Sequence, residues 1–468
     1  MQDLMNKRVA VVGLGVSNRP LIDFLISQGA CVTGRDRIPR EGFGELADTW
    51  ESRGVRLLLG EGYLCDLDEE IIFRAPGIRP DHPAFLAAVA KGARLTSEME
   101  LFFDVCPATV IGVTGSDGKT TSTTLTGLMM DRVCKKRGCG KVYVGGNIGQ
   151  PLLPLVSQMT KDDFAVVELS SFQLMTLKHS PHRAAITNVT PNHLDWHRDM
   201  AEYIAAKTNI YRHEENELLV VNAENATTGE LAQNQIAPVT WFSSRCRCPD
   251  DFGSLLREGD SAYYLAGGKI MRWDGARETE ILSVSEILLP GIHNLENYMT
   301  ALALTDKWVT PQMAREVAKS FTGVPHRLER VRELDGVIYY NSSIDSSPTR
   351  TAAALSALAP KKPIVICGGY DKKIPFEPLA EALTKHAKAV VLTGATAEKI
   401  ADAIEVFDAP QKPPVYRESD FTRAVHRARE LAHSGDVVLL SPACASFDAF
   451  KNFAERGETF RKLILDFQ

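Results

Sequence analysis

Residues 112–121 read GVTGSDGKTT, a glycine-spaced loop ending in a lysine and two threonines. In such a loop the backbone amides of Gly115, Ser116, Asp117, Gly118 and Lys119 converge on an anion. Lys119 offsets charge on β- and γ-phosphate oxygens, and Thr120, followed by Thr121, carries a hydroxyl suited to magnesium. The strict phosphate-loop pattern asks for glycine at position 113, where this chain has Val113, yet a lysine followed by two threonines has no structural need there. Glu168 closes the apolar run 165–168. A carboxylate at the C-terminal end of a strand parallel to that of the loop faces the ligand crevice, where it could hold magnesium. His193 and His197 are four apart, the spacing of a helical zinc pair, but the glutamate of HExxH is missing and no third ligand is evident. One histidine at a metal site and one on the surface is therefore expected.

The elements that must carry these groups follow from periodicity. An apolar strand, 109–113, precedes the phosphate loop and a helical run, 122–130, follows it. Near the start, a β-branched run (9–12), a turn with Gly13 and Gly15, a helical pattern (20–28) and a strand ending near Asp36 make one βαβ unit. Its turn reads GLGVSN, so Asn18 replaces the third glycine of a dinucleotide fingerprint. A helix N-terminus behind a glycine-rich turn still suits a nucleotide-linked ligand other than NAD. Residues 262–273, around Gly267 and Gly268, read as a β-hairpin. After 328, strands and helices alternate at 337–340, 349–358, 364–367, 376–386, 390–393, 420–432 and 437–440, which predicts a parallel sheet with covering helices. Breaks at 104–108 and 323–327 predict three domains, 1–107, 108–324 and 325–468.

The 468 residues, 44% hydrophobic and 24% charged, suit a globular α/β protein of that size. With 53 Lys and Arg against 59 Asp and Glu, the charge of −6 leaves no basic excess for a polyanion, so no nucleic-acid partner is expected. The glycine-broken apolar stretch 9–16 is too short to span a membrane, and no membrane association is expected. Nine cysteines without a repeated CxxC pair fit a reducing, cytoplasmic setting; Cys246 and Cys248 read as thiols in a loop rather than metal ligands.

Taken together, GVTGSDGKTT, GGNIG (145–149), VELSSFQL (167–174), ITNVTPNHLD (186–195), HNLEN (293–297), GVPHRLE (323–329) and SPACASFDAFKNFAERGETF (441–460) resemble the Mur ligase family, in family order from about residue 8 to 464. The last motif, with the N-terminal GLG, is most similar to the branch that adds D-glutamate. The resemblance implies a Rossmann-like N-terminal domain for a uridine nucleotide, a central phosphate-loop ATPase domain with a parallel sheet, and a Rossmann-like C-terminal domain that brings the amino acid. It implies an ATP-dependent amide-forming ligase of peptidoglycan precursor synthesis. ATP would phosphorylate the carboxylate of UDP-N-acetylmuramoyl-L-alanine, and the amine of D-glutamate would attack the acyl phosphate. A cytoplasmic monomer is expected.

Carried over by position, Lys119, Thr120 and Thr121 match phosphate contacts, Thr120 with Glu168 matches a first Mg²⁺ site, and His193 with Lys207 a second. In the family that lysine is carbamylated, so a carbamate on Lys207 is expected. Asn294 and Asn297 match adenine contacts, Arg327 and its neighbour His326 an interdomain phosphate contact, and Asn147 the muramoyl site. Val16, Ser17, Asp36 and Arg37 match the uridine-nucleotide site, flanked by the turn Ala75, Pro76, Gly77. For D-glutamate, Lys372 can pair a carboxylate, Ser346 and Ser446 can donate hydroxyl hydrogen bonds, and Phe447 and Phe453 supply backbone groups and ring packing. Phe450, Phe453 and Phe460 also fit the apolar face of a helix. There is one departure: where the family commonly reads NDSKAT, residues 341–346 read NSSIDS, lacking the acid and the lysine, with Asp345 the nearest candidate to replace the acid. Two alternatives remain at this point, a Mur or folylpolyglutamate-type ligase with another acceptor and a nucleotide-binding regulator without ligase activity.

Overall fold

The computed structural model describes residues 4–15, 17–194, 196–233, 235–372 and 374–468. Among these the strands form three sheets, of five, nine and six strands.

The first sheet contains β1 (Arg8–Val12), β2 (Cys31–Asp36), β3 (Arg56–Leu59), β4 (Ile71–Arg74) and β5 (Arg94–Thr96), ordered β3-β2-β1-β4-β5 and parallel throughout. Helices α1 (Asn18–Ser27), α2 (Glu45–Ser52) and α3 (Pro83–Ala90) connect these strands, except that β3 runs to β4 without one, and α4 (Glu98–Val105) follows β5. The second sheet centres on β6 (Thr109–Thr114), flanked by β8 (Phe164–Glu168) and β9 (Arg183–Ile186), with β7 (Val142–Gly146) beyond β8. It continues through β10 (Leu218–Asn222), β11 (Val239–Ser243) and β12 (Ser261–Ala266), and ends in the antiparallel ribbon of β12, β13 (Lys269–Trp273) and β14 (Glu278–Ser283). The expected hairpin is the β12–β13 pair. Its helices are α5 (Lys119–Arg137), α6 (Ser171–Leu174), α7 (Met200–Thr208) and α8 (Ala226–Gln233), with α9 (Ile292–Thr305) and α10 (Pro311–Ser320) following β14.

The third sheet pairs β15 (Glu329–Leu334) antiparallel with β16 (Val337–Asn341). It continues in parallel through β20 (Val437–Leu440), β17 (Ile364–Cys367), β18 (Ala389–Leu392) and β19 (Val415–Arg417). Its helices are α11 (Pro348–Ala357), α12 (Glu377–His386), α13 (Ala397–Val406), α14 (Phe421–Leu431) and α15 (Phe453–Asp466). The central strands are buried along their length, as sheets covered on both faces require.

The chain divides into two compact units, Met1–Glu286 with Leu295–Val317, and Ile287–Asn294 with Ala318–Gln468. The first unit holds two sheets because a continuous apolar cluster runs from Leu14, Leu21 and Phe102 through Leu152, Leu153 and Met159 to Val167 and Tyr203. Among the described residues no helix is long and apolar enough to cross a membrane.

Several boundaries differ from the sequence-based expectation. Helix α5 begins at Lys119 rather than at 122, because left-handed Gly118 (φ +78°) turns the loop directly into the first turn. His193 and His197 lie in the loop between β9 and α7, and His193 itself is left-handed (φ +55°), so they form no helical pair. Phe450 precedes α15 and Phe453 opens it partly exposed, so Phe460 alone of the three belongs to the buried face. Three-residue β19 carries too few residues for periodicity to reveal it, and the ten-residue α13 is not among the expected elements although Ile400, Ala401 and Ile404 bury at helical spacing.

Candidate active site

The phosphate-binding loop leaves the C-terminal end of β6 and is held from all sides. Gly115 (φ +150°) presses so close to Thr187 that a Cβ would lie 1.8 Å from its hydroxyl, and a Cβ on Gly118 would lie 2.4 Å from Asn297 Oδ1. Ser116 Oγ donates to the Thr190 carbonyl at 3.0 Å, accepts from Thr190 N–H at 2.9 Å, and shares a hydrogen bond with Tyr203 OH at 2.9 Å. Asp117 N–H donates to Asn188 Oδ1 at 2.9 Å. Lys119 Nζ curls back to the Gly115 and Ser116 carbonyls, 3.0 Å from each. The ammonium thus sits over the loop that would receive a phosphate.

Thr120 Oγ1 donates to Glu168 Oε2 at 2.7 Å, and Asn147 Nδ2 donates to Glu168 Oε1 at 2.7 Å. Glu168 is buried, and parallel pairing of β8 with both β6 and β7 brings its carboxylate beside the loop and the GGNIG segment. A hydroxyl and a carboxylate at that distance are hard oxygen donors of the kind magnesium takes. Thr121, next along α5, is buried.

Lys207, near the end of α7, is 1% exposed. Its Nζ donates to the Gly115 carbonyl at 2.8 Å and to Thr114 Oγ1 at 3.3 Å, and lies 4.7 Å from the centre of the Tyr203 ring. Burial, and then the charge of Lys119, push this amine well below the usual lysine range. His193 occupies an exposed stretch, its ring edge-on to Phe172 at 5.0 Å. His197 is buried instead, its Nε2 2.9 Å from Ser171 Oγ.

Helix α9 carries both expected adenine residues. Asn297 Oδ1 accepts from Ser122 Oγ at 3.1 Å, and Asn294 Nδ2 donates to the Pro290 carbonyl at 2.6 Å. Arg327 is partly buried, its N–H donating to the Val324 carbonyl at 3.0 Å.

In the glycine-rich turn after β1, Asp36 accepts from Leu14 N–H at 2.6 Å and from Ile38 N–H at 2.8 Å, while Arg37 is exposed. Ser17 stands at the N-cap of α1 without a side-chain cap bond, and Val16 lies outside the described residues. Asn18, in place of the third glycine, ties the turn by donating to the Gly13 carbonyl at 2.8 Å.

The expected amino-acid site gathers at the C-terminal ends of β16, β17 and β20. Lys372 Nζ donates to the Ser346 carbonyl at 3.1 Å and to its hydroxyl at 3.2 Å. Ser446 is buried, Phe447 is exposed and edge-on to Tyr370 at 6.1 Å, and Tyr370 N–H donates to the Ala445 carbonyl at 2.9 Å. Phe453 packs its ring on His326 at 6.0 Å and accepts a hydrogen bond from Ser343 Oγ at 2.8 Å through its carbonyl. Asp345 turns inward: its carboxylate accepts from Ser441 Oγ at 2.8 Å, and burial pushes its pKa up to about 6.

Arg456 is the residue the motif reading passes over. It is 2% exposed, and its guanidinium donates to Ser343 Oγ and O and to the carbonyls of Cys444 and Ala445, at 2.9–3.2 Å. It thereby pins the NSSIDS loop to the SPACAS loop. An arginine inside the otherwise apolar spacing of 453–464 was its one sequence signal.

Comparison with known proteins decides the family. Residues 113–305 match the Mur ligase middle domain, and 326–444 match the Mur ligase glutamate ligase domain. A UDP-N-acetylmuramoylalanine--D-glutamate ligase of Clostridium novyi (strain NT) is 46% identical over 98% of this chain and 97% of that protein. The chain belongs to the Mur ligase family. Ligases of the same name from Clostridium kluyveri and Acetivibrio thermocellus are 47% and 44% identical, each over 98% of this chain and 97% of theirs. The Mur ligase fold is seen again in the UDP-N-acetylmuramate-alanine ligase of Thermotoga maritima, with a TM-score of 0.56 at 18% identity, covering 98% of this chain and 99% of that one.

Proposed function

We propose that this protein is the ligase that joins D-glutamate to UDP-N-acetylmuramoyl-L-alanine at the expense of ATP, in cytoplasmic peptidoglycan precursor synthesis. The observation that carries the substrate choice is 46–47% identity across 98% of the chain to ligases named for that reaction. A three-domain division, 1–107 for the uridine nucleotide, 108–324 for ATP and 325–468 for the amino acid, belongs to this proposal, as does action as a monomer.

In the reaction, a carboxylate oxygen of the muramoyl-alanine attacks the γ-phosphorus and ADP leaves. The amine of D-glutamate then attacks the acyl carbon, phosphate leaves, and the nitrogen loses its proton. Carboxylate and triphosphate are both anions, so the first step depends on fixed positive charge in a site shielded from water. Lys119, above the Gly115 and Ser116 carbonyls, supplies one such charge. The loop amides of 115–119 hold the phosphates, Thr121 adds a hydroxyl, and Asn294, Asn297 and Arg327 serve the nucleotide. Thr120 and Glu168 would hold one Mg²⁺ and His193 and Lys207, as a carbamate, another; bound there, magnesium neutralises developing phosphoryl charge. Asn147, fixed to Glu168, faces the muramoyl substrate, while Ser17, Asp36 and Arg37 take the uridine nucleotide. Lys372 pairs a carboxylate of D-glutamate beside Ser346, with Ser446, Phe447 and Phe453 around it.

The test is phosphate release from ATP with the muramoyl substrate and a panel of D- and L-amino acids. Release that requires both the muramoyl substrate and D-glutamate is expected. Release with another amino acid, or without one, would replace this reading.

A further inference from the structure

Arg74, at the end of β4, and Arg79, on the turn that follows, are used by nothing in the proposed chemistry. Arg74 is fully buried. One of its nitrogens donates to the carbonyls of Ala75, Pro76 and Ile78, at 2.7–3.3 Å, and the other reaches the Phe172 carbonyl at 3.4 Å and Thr176 Oγ1 at 3.2 Å. It therefore shapes the turn and hooks it onto α6, which directly follows Glu168 and Leu169 in the chain.

Arg79 grips the other side. It forms a bidentate pair with Glu202 on α7 at 2.8 and 3.0 Å, and donates to the Trp196 carbonyl at 2.7 Å. Asp81 braces it at 2.8 and 3.0 Å, and Arg198 pairs with both Asp81 and Glu202. The Trp196 indole N–H donates to the Gly77 carbonyl at 2.9 Å, and the guanidinium lies 5.1 Å from the ring. Exposed ion pairs contribute little, but this one is bidentate, networked and only 24% and 18% exposed at its two side chains.

What makes the pair consequential is the helix it holds. Helix α7 is nine residues long, with Asp199 capping Glu202 N–H at 2.8 Å. The residue after Glu202 is Tyr203, whose hydroxyl meets Ser116, and one turn further on is Lys207, bound to the Gly115 carbonyl. The rings of Phe172, Trp196, His197 and Tyr203 form a chain of contacts between the turn and the loop, with centres 4.5 to 5.7 Å apart, tilted or edge-on except for the stacked Phe172–His197 pair. A shift of the turn thus moves α7, and α7 cannot move without disturbing the phosphate loop.

We propose that Arg79, backed by Arg74, is a positioning residue that couples binding of the muramoyl substrate's uridine nucleotide, beside the turn at 75–77, to the shape of the ATP-binding loop. This rests on the proposed function, and linkage makes the effect reciprocal.

Calorimetry on the full chain measures it, as the affinity for the magnesium complex of a non-hydrolysable ATP analogue with and without UDP-N-acetylmuramoyl-L-alanine. The wild-type protein should bind the analogue about fivefold or more tightly in the presence of the substrate. Arg79→Met should bring that ratio within twofold of one with each separate affinity largely kept, and Arg79→Lys should restore part of it. Glu202→Gln should lose the coupling as well, which keeps the test open should Arg79→Met fold poorly. A ratio near one in the wild-type protein, or a wild-type ratio in both Arg79→Met and Glu202→Gln, would overturn the coupling. A wild-type protein that binds both ligands yet releases no phosphate with D-glutamate would instead count against the proposed function.

Discussion

Two glycine-rich turns, at 13–15 and at 115–118, each join a parallel strand to a helix, and they end with opposite electrostatics. In the first, the Asp36 carboxylate already accepts from Leu14 N–H, so that amide is taken and a negative charge stands beside it. In the second, the side-chain nitrogens of Lys119 and Lys207 rest on the loop's own carbonyls. Similar strand–turn–helix geometry thus meets a carboxylate from the next strand in one case and lysine nitrogens in the other. The loop after β16 is a third case. Its acid, Asp345, faces the interior, and the positive charge at its edge is Lys372.

Changes to the two lysines of the second turn should have the largest effect. Lys207→Arg keeps charge and length but cannot form a carbamate, so phosphate release should fall below detection while calorimetry still finds the uridine-nucleotide substrate bound. Lys119→Met should lower kcat by about 10²–10³-fold, the range for losing one donor aimed at developing charge. Near-normal turnover of Lys207→Arg would rule out a carbamate there, and near-normal turnover of Lys119→Met would erase the electrostatic contrast between the turns.

At the third loop, Lys372→Ala should raise the Michaelis constant for D-glutamate by about 10–100-fold, from losing a charge-assisted hydrogen bond worth about 1.5–3 kcal/mol, and leave that for ATP unchanged. Equal shifts for both substrates would move the lysine from the amino acid to phosphate.

Asp36→Asn in the first turn removes the charge but leaves an acceptor. The Michaelis constant for the muramoyl substrate should rise about tenfold, equivalent to about 1.4 kcal/mol, with that for ATP steady. A rise in both would mean that the two turns are not specialised.

The smallest effect on turnover is expected at Asp345, which instead governs stability. Its carboxyl is raised from 3.8 to about 6, so between those values the folded chain holds a proton that the unfolded chain releases. Stability therefore falls as pH rises through that window, by up to roughly 3 kcal/mol, and levels off above it. Denaturant titrations of Asp345→Asn should give a flatter profile from about pH 4 to 6 than the wild-type protein. Parallel profiles would mean the acid is not buried as a proton-holding group.

The sequence alone carried what is encoded locally. The phosphate loop announces itself because Gly115 and Gly118 need backbone conformations that other residues resist, and the strands because both of their faces are covered. The alternation after residue 328 is legible for the same reason, whereas β19 escaped because three residues leave little period to read. Side-chain pairing across long separations was decided only by the tertiary structure. Thr120 meets Glu168 from 48 positions away, Arg456 reaches Ser343 across 113, and Arg79 meets Glu202 across 123. Asp345 could be named from the sequence as a substitute acid, but only its packing shows it facing Ser441. A residue's type and spacing set which chemistry it can do; which partner it meets, and whether water reaches it, depends on the packing of segments far apart in the chain.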